Sequence, residues 1–156
     1  MTGVVADASP LIAFAQIGHL PLLQALFTTI VVPPAVAREI APSVPSQPWI
    51  VERQLVQLIP SPVLRASLGG GESEAISLAL ELHADHLVVD EKAARHLAKD
   101  LGLNVIGTLG VLLAAKRRGL ITAVRPLIDA LLEQNFWISP QLVERALVEI
   151  GEGAKP

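Results

Sequence analysis

Two successive stretches of the chain follow one pattern: a short apolar β-type run, a corner, and then a helix-length segment. Leu87-Val88-Val89 passes through Asp90-Glu91 into residues 92–101, and Asn104-Val105-Ile106 passes through Gly107-Thr108 into 109–118, with Gly102 and Gly119 as stops. Strands that alternate with helices pair in parallel, because each crossover is long enough to bring the chain back to the same edge. The expected fold class is therefore α/β, a three-layer α/β/α sandwich around a mainly parallel sheet.

The first half of the chain reads the same way. Val4-Val5-Ala6 ends at Asp7 and meets Ser9-Pro10, which suits a helix cap with proline at the first helical position. Residues 11–16 and 21–26 read as helical, 28–32 as a strand, and Pro33-Pro34 starts a helix through Ile40 with Glu39 near its end. Residues 41–48 form a loop, and Trp49 to Ile59 leans towards strand. Gly69-Gly70-Gly71 opens a helix whose apolar stripe is Ala75, Ile76, Ala79 and Leu82. Residues 123–134 and 140–150 read as further helices, with a brief strand at Phe136 to Ile138. One domain over residues 1–150 and a flexible tail over 151–156 is the expected organisation.

Composition narrows the chemistry. With no cysteine there is no disulfide and no thiolate metal site, which leaves carboxylates and histidines as ligands. The four histidines, His19, His83, His86 and His96, lack a ligand spacing. The N-terminus has no basic leader, and every apolar run is interrupted well before the ~18 residues that a membrane span needs, so a cytoplasmic protein with no membrane partner is expected. A net charge of −3 fits poorly with a broad basic nucleic-acid face. Any nucleic-acid contact is then local, with Arg38, Lys92 and Arg95 as candidates. Trp49 and Trp137 read as packing or dimer-contact residues rather than base platforms.

Ligands of an open parallel sheet bind beyond the carboxyl ends of its strands, and that is where the acids of this chain fall. Asp7 follows the first strand, Asp90 and Glu91 follow a later one, and Glu72 starts a helix in phase with Ala75, Ile76 and Ala79. Taken singly, Asp7 also reads as a helix cap and Glu72 as a first-turn residue favoured by the helix dipole. Taken together they repel one another unless a cation neutralises them. All-oxygen ligation suits Mg²⁺ or Mn²⁺, which serves phosphodiester hydrolysis.

The ordered set resembles the PIN domain family. The residues that carry the resemblance are Val4 to Ile12, Val32-Pro33-Pro34 to Glu39, Gly71 to Ile76, Leu87 to Glu91, Gly107 to Leu112 and Lys116 to Ile121, the last two pointing to a prokaryotic PIN-like subfamily. The resemblance implies a metal-dependent ribonuclease and, for many prokaryotic members, a toxin of the VapC type held by a small antitoxin protein; a homodimer is expected with it. It makes Asp7, Glu39, Glu72 and Asp90 or Glu91 the catalytic and metal-site residues, with Ser9 supporting Asp7. Two departures leave alternatives open. Glu72 stands where the family usually has Asp, with Glu74 as its rival, and Val89 precedes Asp90-Glu91 where a threonine is usual. A catalytically weak PIN-like module that binds RNA or protein is the alternative, and a small-molecule phosphatase ranks behind both.

Overall fold

Val4, Val5 and Ala6 are all buried, as expected of a strand covered on both faces, and they form the middle strand of a five-stranded sheet. In the computed structural model, which describes residues 3–57 and 59–153, β1 (Val4–Ala6) leads to α1 (Ala8–Gln16) and α2 (Leu20–Phe27), then β2 (Ile30–Val32), α3 (Pro34–Ile40) and β3 (Ile50–Glu52). A short α4 (Ser61–Arg65) precedes α5 (Gly70–Leu82), β4 (His86–Val88), α6 (Lys92–Asp100) and β5 (Val105–Ile106). Three helices complete the order: α7 (Thr108–Arg117), α8 (Arg125–Glu133) and α9 (Pro140–Glu149). The strands lie in the order β3-β2-β1-β4-β5. Every pairing is parallel, with Val5 opposite both Val31 and Leu87, and Leu87 opposite Val105.

The helices flank this all-parallel sheet as the alternation of strand and helix requires. Ala75, Ile76, Leu78 and Ala79 of α5 are fully buried, so truncating Ile76 to alanine is expected to cost about 2–5 kcal/mol in lost contacts and cavity. Helix ends are closed by local chemistry. Gly102 and Gly119 adopt positive φ after α6 and α7, and His83 takes the same left-handed role after α5. No helix among the described residues is long and apolar enough to cross a membrane.

Several local expectations are corrected. The strand in Trp49 to Ile59 covers only Ile50–Glu52; further on, Glu81 accepts hydrogen bonds from the backbone N–H groups of Val56 and Gln57, at distances down to 2.7 Å. A side chain, not a ladder, satisfies that segment, and Leu58 lies outside the described residues. Phe136 to Ile138 form no strand, because Asn135 turns at φ 64 and the Phe136 N–H closes α8 on Leu131 O at 3.0 Å. α4, a short helix with Pro62 in its first turn, lies outside the expected elements. α1 begins at Ala8, one residue before Ser9, so Pro10 lies inside its first turn. Trp49 packs into the core, as expected of a packing residue, and Trp137 is 78% exposed. Glu152 meets Lys116 Nζ at 2.6 Å and accepts from the N–H groups of Val124 and Arg125. Residues 154–156 of the expected tail lie outside the described residues.

Candidate active site

The strand order decides where a site forms. From β1 the chain steps to β2 and β3 on one side, while β4 and β5 lie on the other, so the crossovers reverse direction between β1 and β4 and leave a crevice at the carboxyl ends of these two strands. Asp7 follows β1 directly, and its N–H bonds Val88 O at 2.9 Å, the last residue of β4. Asp90 stands two residues beyond that carbonyl.

Asp7 is only 6% exposed. It occupies the N-cap position of α1, yet its side chain makes no capping hydrogen bond, so capping does not account for it. Burial raises its pKa to about 6; the Ala8 N–H opposes this, and the charges of Glu72, Glu39 and Asp90 add to it in that order. A buried acid surrounded by three others is costly unless positive charge joins it.

Two of those acids arrive through the packing of α3 against α5. Glu39 lies in the last turn of α3, and Gly71 in the first turn of α5. A Cβ at Gly71 would collide with Glu39 Oε1 and stand 3.2 Å from Asp7 Oδ1. The glycine therefore leaves the space into which both carboxylates reach. Glu72 bends back so that Oε1 accepts the Gly69 N–H at 3.1 Å, which uses one oxygen in holding the helix start. Glu74 faces elsewhere, accepting the Ala35 N–H at 3.0 Å at the beginning of α3. Of the two rivals, Glu72 is the one whose charge reaches Asp7.

Asp90 is held from across the sheet edge by Thr108. The Thr108 N–H donates to Oδ1 at 2.7 Å and its hydroxyl to Oδ2 at 2.6 Å. Burial raises the Asp90 pKa, while these two hydrogen bonds and the Arg95 charge oppose it. Glu91 turns away: its carboxylate accepts the Ala94 N–H at 2.9 Å and caps α6. Because α6 starts at Lys92, the residue before it becomes the N-cap, and one Glu91 oxygen is engaged there.

Among the described residues, no three His, Asp or Glu side chains converge as a ready-made cage for an ion. Mg²⁺ does not need such a cage, since it is commonly bound by one or two carboxylates and several waters. The donor set is all oxygen, and Asp7 sits buried under the repulsion of three further carboxylates. By that chemistry the residues fit a hard divalent cation, with Asp7, Asp90, Glu72 and Glu39 as those able to hold it. The remaining candidates differ in exposure. Ser9, Arg38 and Lys92 are exposed, and no hydrogen bond between the Ser9 hydroxyl and Asp7 is formed. Arg95 is half-buried, with its Nε enclosed and without a hydrogen-bond partner. Thr108 is the residue that sequence reasoning passed over, taking Gly107-Thr108 only as a corner; its polar hydroxyl at a helix start opposite an acid-bearing strand was the available signal.

No curated protein matches this sequence significantly. A family model described as a PIN domain, a family usually of metal-dependent nucleases, matches residues 3–152. That match spans every strand and helix described above, and with the parallel sheet and its acid-lined crevice it places the chain in the PIN domain family.

Proposed function

We propose that this protein is a Mg²⁺- or Mn²⁺-dependent endoribonuclease, hydrolysing RNA phosphodiesters at the crevice between β1 and β4. The observation that carries the reading is the burial of Asp7 beside Gly71, where the Glu39 carboxylate also reaches and where the charges of Glu72 and Asp90 are felt. When bound, the cation polarises the phosphate and supplies an activated water. Asp7 and Asp90 hold it from the two central strands, and Glu72 contributes the carboxylate oxygen that Gly69 leaves free. Glu39, an exposed residue whose carboxylate reaches the space beside Gly71, takes the proton of the attacking water. Arg95, whose Nε has no hydrogen-bond partner, and the exposed Arg38 and Lys92 contact phosphates on either side.

A toxin role, with a small antitoxin protein as partner and a homodimer as the working form, extends this reading. Leu132, Trp137, Leu142 and Val148 support it as exposed apolar residues in or beside the last two helices. A catalytically weak RNA- or protein-binding module is the second reading, favoured by the lack of a converged three-ligand cluster among the described residues.

Calorimetric titration of Mn²⁺ into wild type, Asp7→Asn and Asp90→Asn, alongside cleavage of a labelled RNA pool, separates the two. Binding and cleavage that vanish together in the variants support the nuclease. Folded wild type that takes up no Mn²⁺ and leaves RNA intact supports the binding module.

A further inference from the structure

Both oxygens of the Asp90 carboxylate are gripped by a single residue from another β-α unit. Thr108, fully buried at the first position of α7, donates its N–H to Oδ1 and its hydroxyl to Oδ2, at 2.7 and 2.6 Å. Two bonds from one rigid residue fix the tilt as well as the position of the carboxylate plane, and each oxygen keeps a lone pair free for a further partner. The corner that carries Thr108 is shaped for this approach. A Cβ at Gly107 would lie 3.0 Å from Asp90 Oδ1 and 3.6 Å from both Arg95 Nη1 and Val89 O, tighter than an ordinary contact to the carboxylate. Gly107 is also the N-cap of α7, so the carboxylate stands against the positive end of that helix.

From this geometry we propose that Thr108 is the positioning residue of the site, orienting Asp90 so that its free lone pairs face the cation shared with Asp7. The inference rests on the nuclease reading. It gives the Gly107-Thr108 corner a purpose beyond joining β5 to α7. A merely structural staple would stabilise the fold and leave ion affinity untouched; a positioning residue changes ion affinity when its hydroxyl is lost and restores it when the hydroxyl returns.

Thr108→Val keeps the shape, the β-branch and the backbone N–H but deletes the hydroxyl, whereas Thr108→Ser keeps the hydroxyl. Each variant is titrated with Mn²⁺ by calorimetry, its thermal unfolding is followed in chelator, and kcat and KM are measured on a labelled RNA. Thr108→Val is expected to bind Mn²⁺ about tenfold or more weakly, within the range usual for groups that orient a metal ligand. Thr108→Ser should stay near wild type, and the loss of cleavage should fall on kcat rather than KM. Thr108→Val that is folded and binds Mn²⁺ as wild type does overturns the assignment while leaving the nuclease reading standing. Wild type that binds no Mn²⁺ overturns both. Should Thr108→Val fail to fold, Gly107→Ala pushes on the same carboxylate with the hydroxyl intact; reduced Mn²⁺ affinity supports the proposal, and unchanged affinity overturns it.

Discussion

The Glu39 carboxylate rests in the space that a side chain on Gly71 would occupy. α3 and α5 pack closely enough there that the last turn of one reaches the first turn of the other. Gly71 has ordinary helical geometry and needs no positive φ, so a larger residue is excluded by room alone. Gly71→Ala is expected to displace Glu39 and lower Mn²⁺ affinity about tenfold, with a stability change under about 2 kcal/mol because better helix propensity offsets part of the crowding. A calorimetric titration and a urea melt check the pair of effects. Unaltered Mn²⁺ affinity would show that Glu39 does not need that space.

Asp7 sets a pH dependence. Its folded pKa is raised from 3.8 to about 6, first by burial, so the folded state binds a proton more tightly than the unfolded state. The stabilisation that protonated Asp7 contributes is complete below about pH 4 and is lost as pH rises through about 6. Two pKa units correspond to about 3 kcal/mol. Asp7→Asn in chelator should therefore gain up to about 3 kcal/mol over wild type at pH 7.5, and the gain should shrink towards zero at pH 4. Urea melts of both proteins across that range test it; a constant difference would mean that Asp7 is not a strained acid.

Glu91 and Asp90 are neighbours with separate tasks. Glu91→Ala should remove the α6 cap at a cost of about 1 kcal/mol and leave Mn²⁺ affinity within about threefold of wild type, well below the loss usual for a ligand-orienting group. Asp90→Asn should abolish Mn²⁺ binding. Melting curves and titrations on the two variants side by side decide it, and a large loss of Mn²⁺ affinity in Glu91→Ala would place that acid in the site after all.

Glu152 ties the segment after α9 to α7 and to the start of α8. Burial raises its pKa, but the Lys116 ammonium and the Val124 and Arg125 N–H groups outweigh burial and hold it low. Its stabilisation is present above the unfolded carboxylate pKa and fades as pH falls through the lower folded value. Glu152→Gln is expected to cost about 1.5–3 kcal/mol at neutral pH, the range for hydrogen bonds to a charged group. RNA cleavage should be unaffected. Denaturant melts at pH 7 and pH 3 check the sign, since the difference between variant and wild type should narrow in acid.

Most of the elements could be read from the chain itself. Leu87-Val88-Val89, the glycine stops at Gly102 and Gly119, and Pro34 at the start of α3 each act through their nearest neighbours: β-branching, left-handed φ and a preset φ are local properties. The placement of Asp7 and Asp90 beyond strand ends followed as soon as the alternation implied a parallel sheet. Tertiary structure decided the partners of Glu74 and Asp90. Glu74 is spent on the Ala35 N–H because α3 packs on α5, and Thr108 grips an acid 18 residues away because β5 lies beside β4. One Glu91 oxygen is engaged at the start of α6, a matter of one residue in the helix boundary, and pattern reading does not resolve boundaries that finely. The physical reason is range: a backbone preference is set within a few residues, whereas the partner of a carboxylate is set by whichever element the fold brings across the gap.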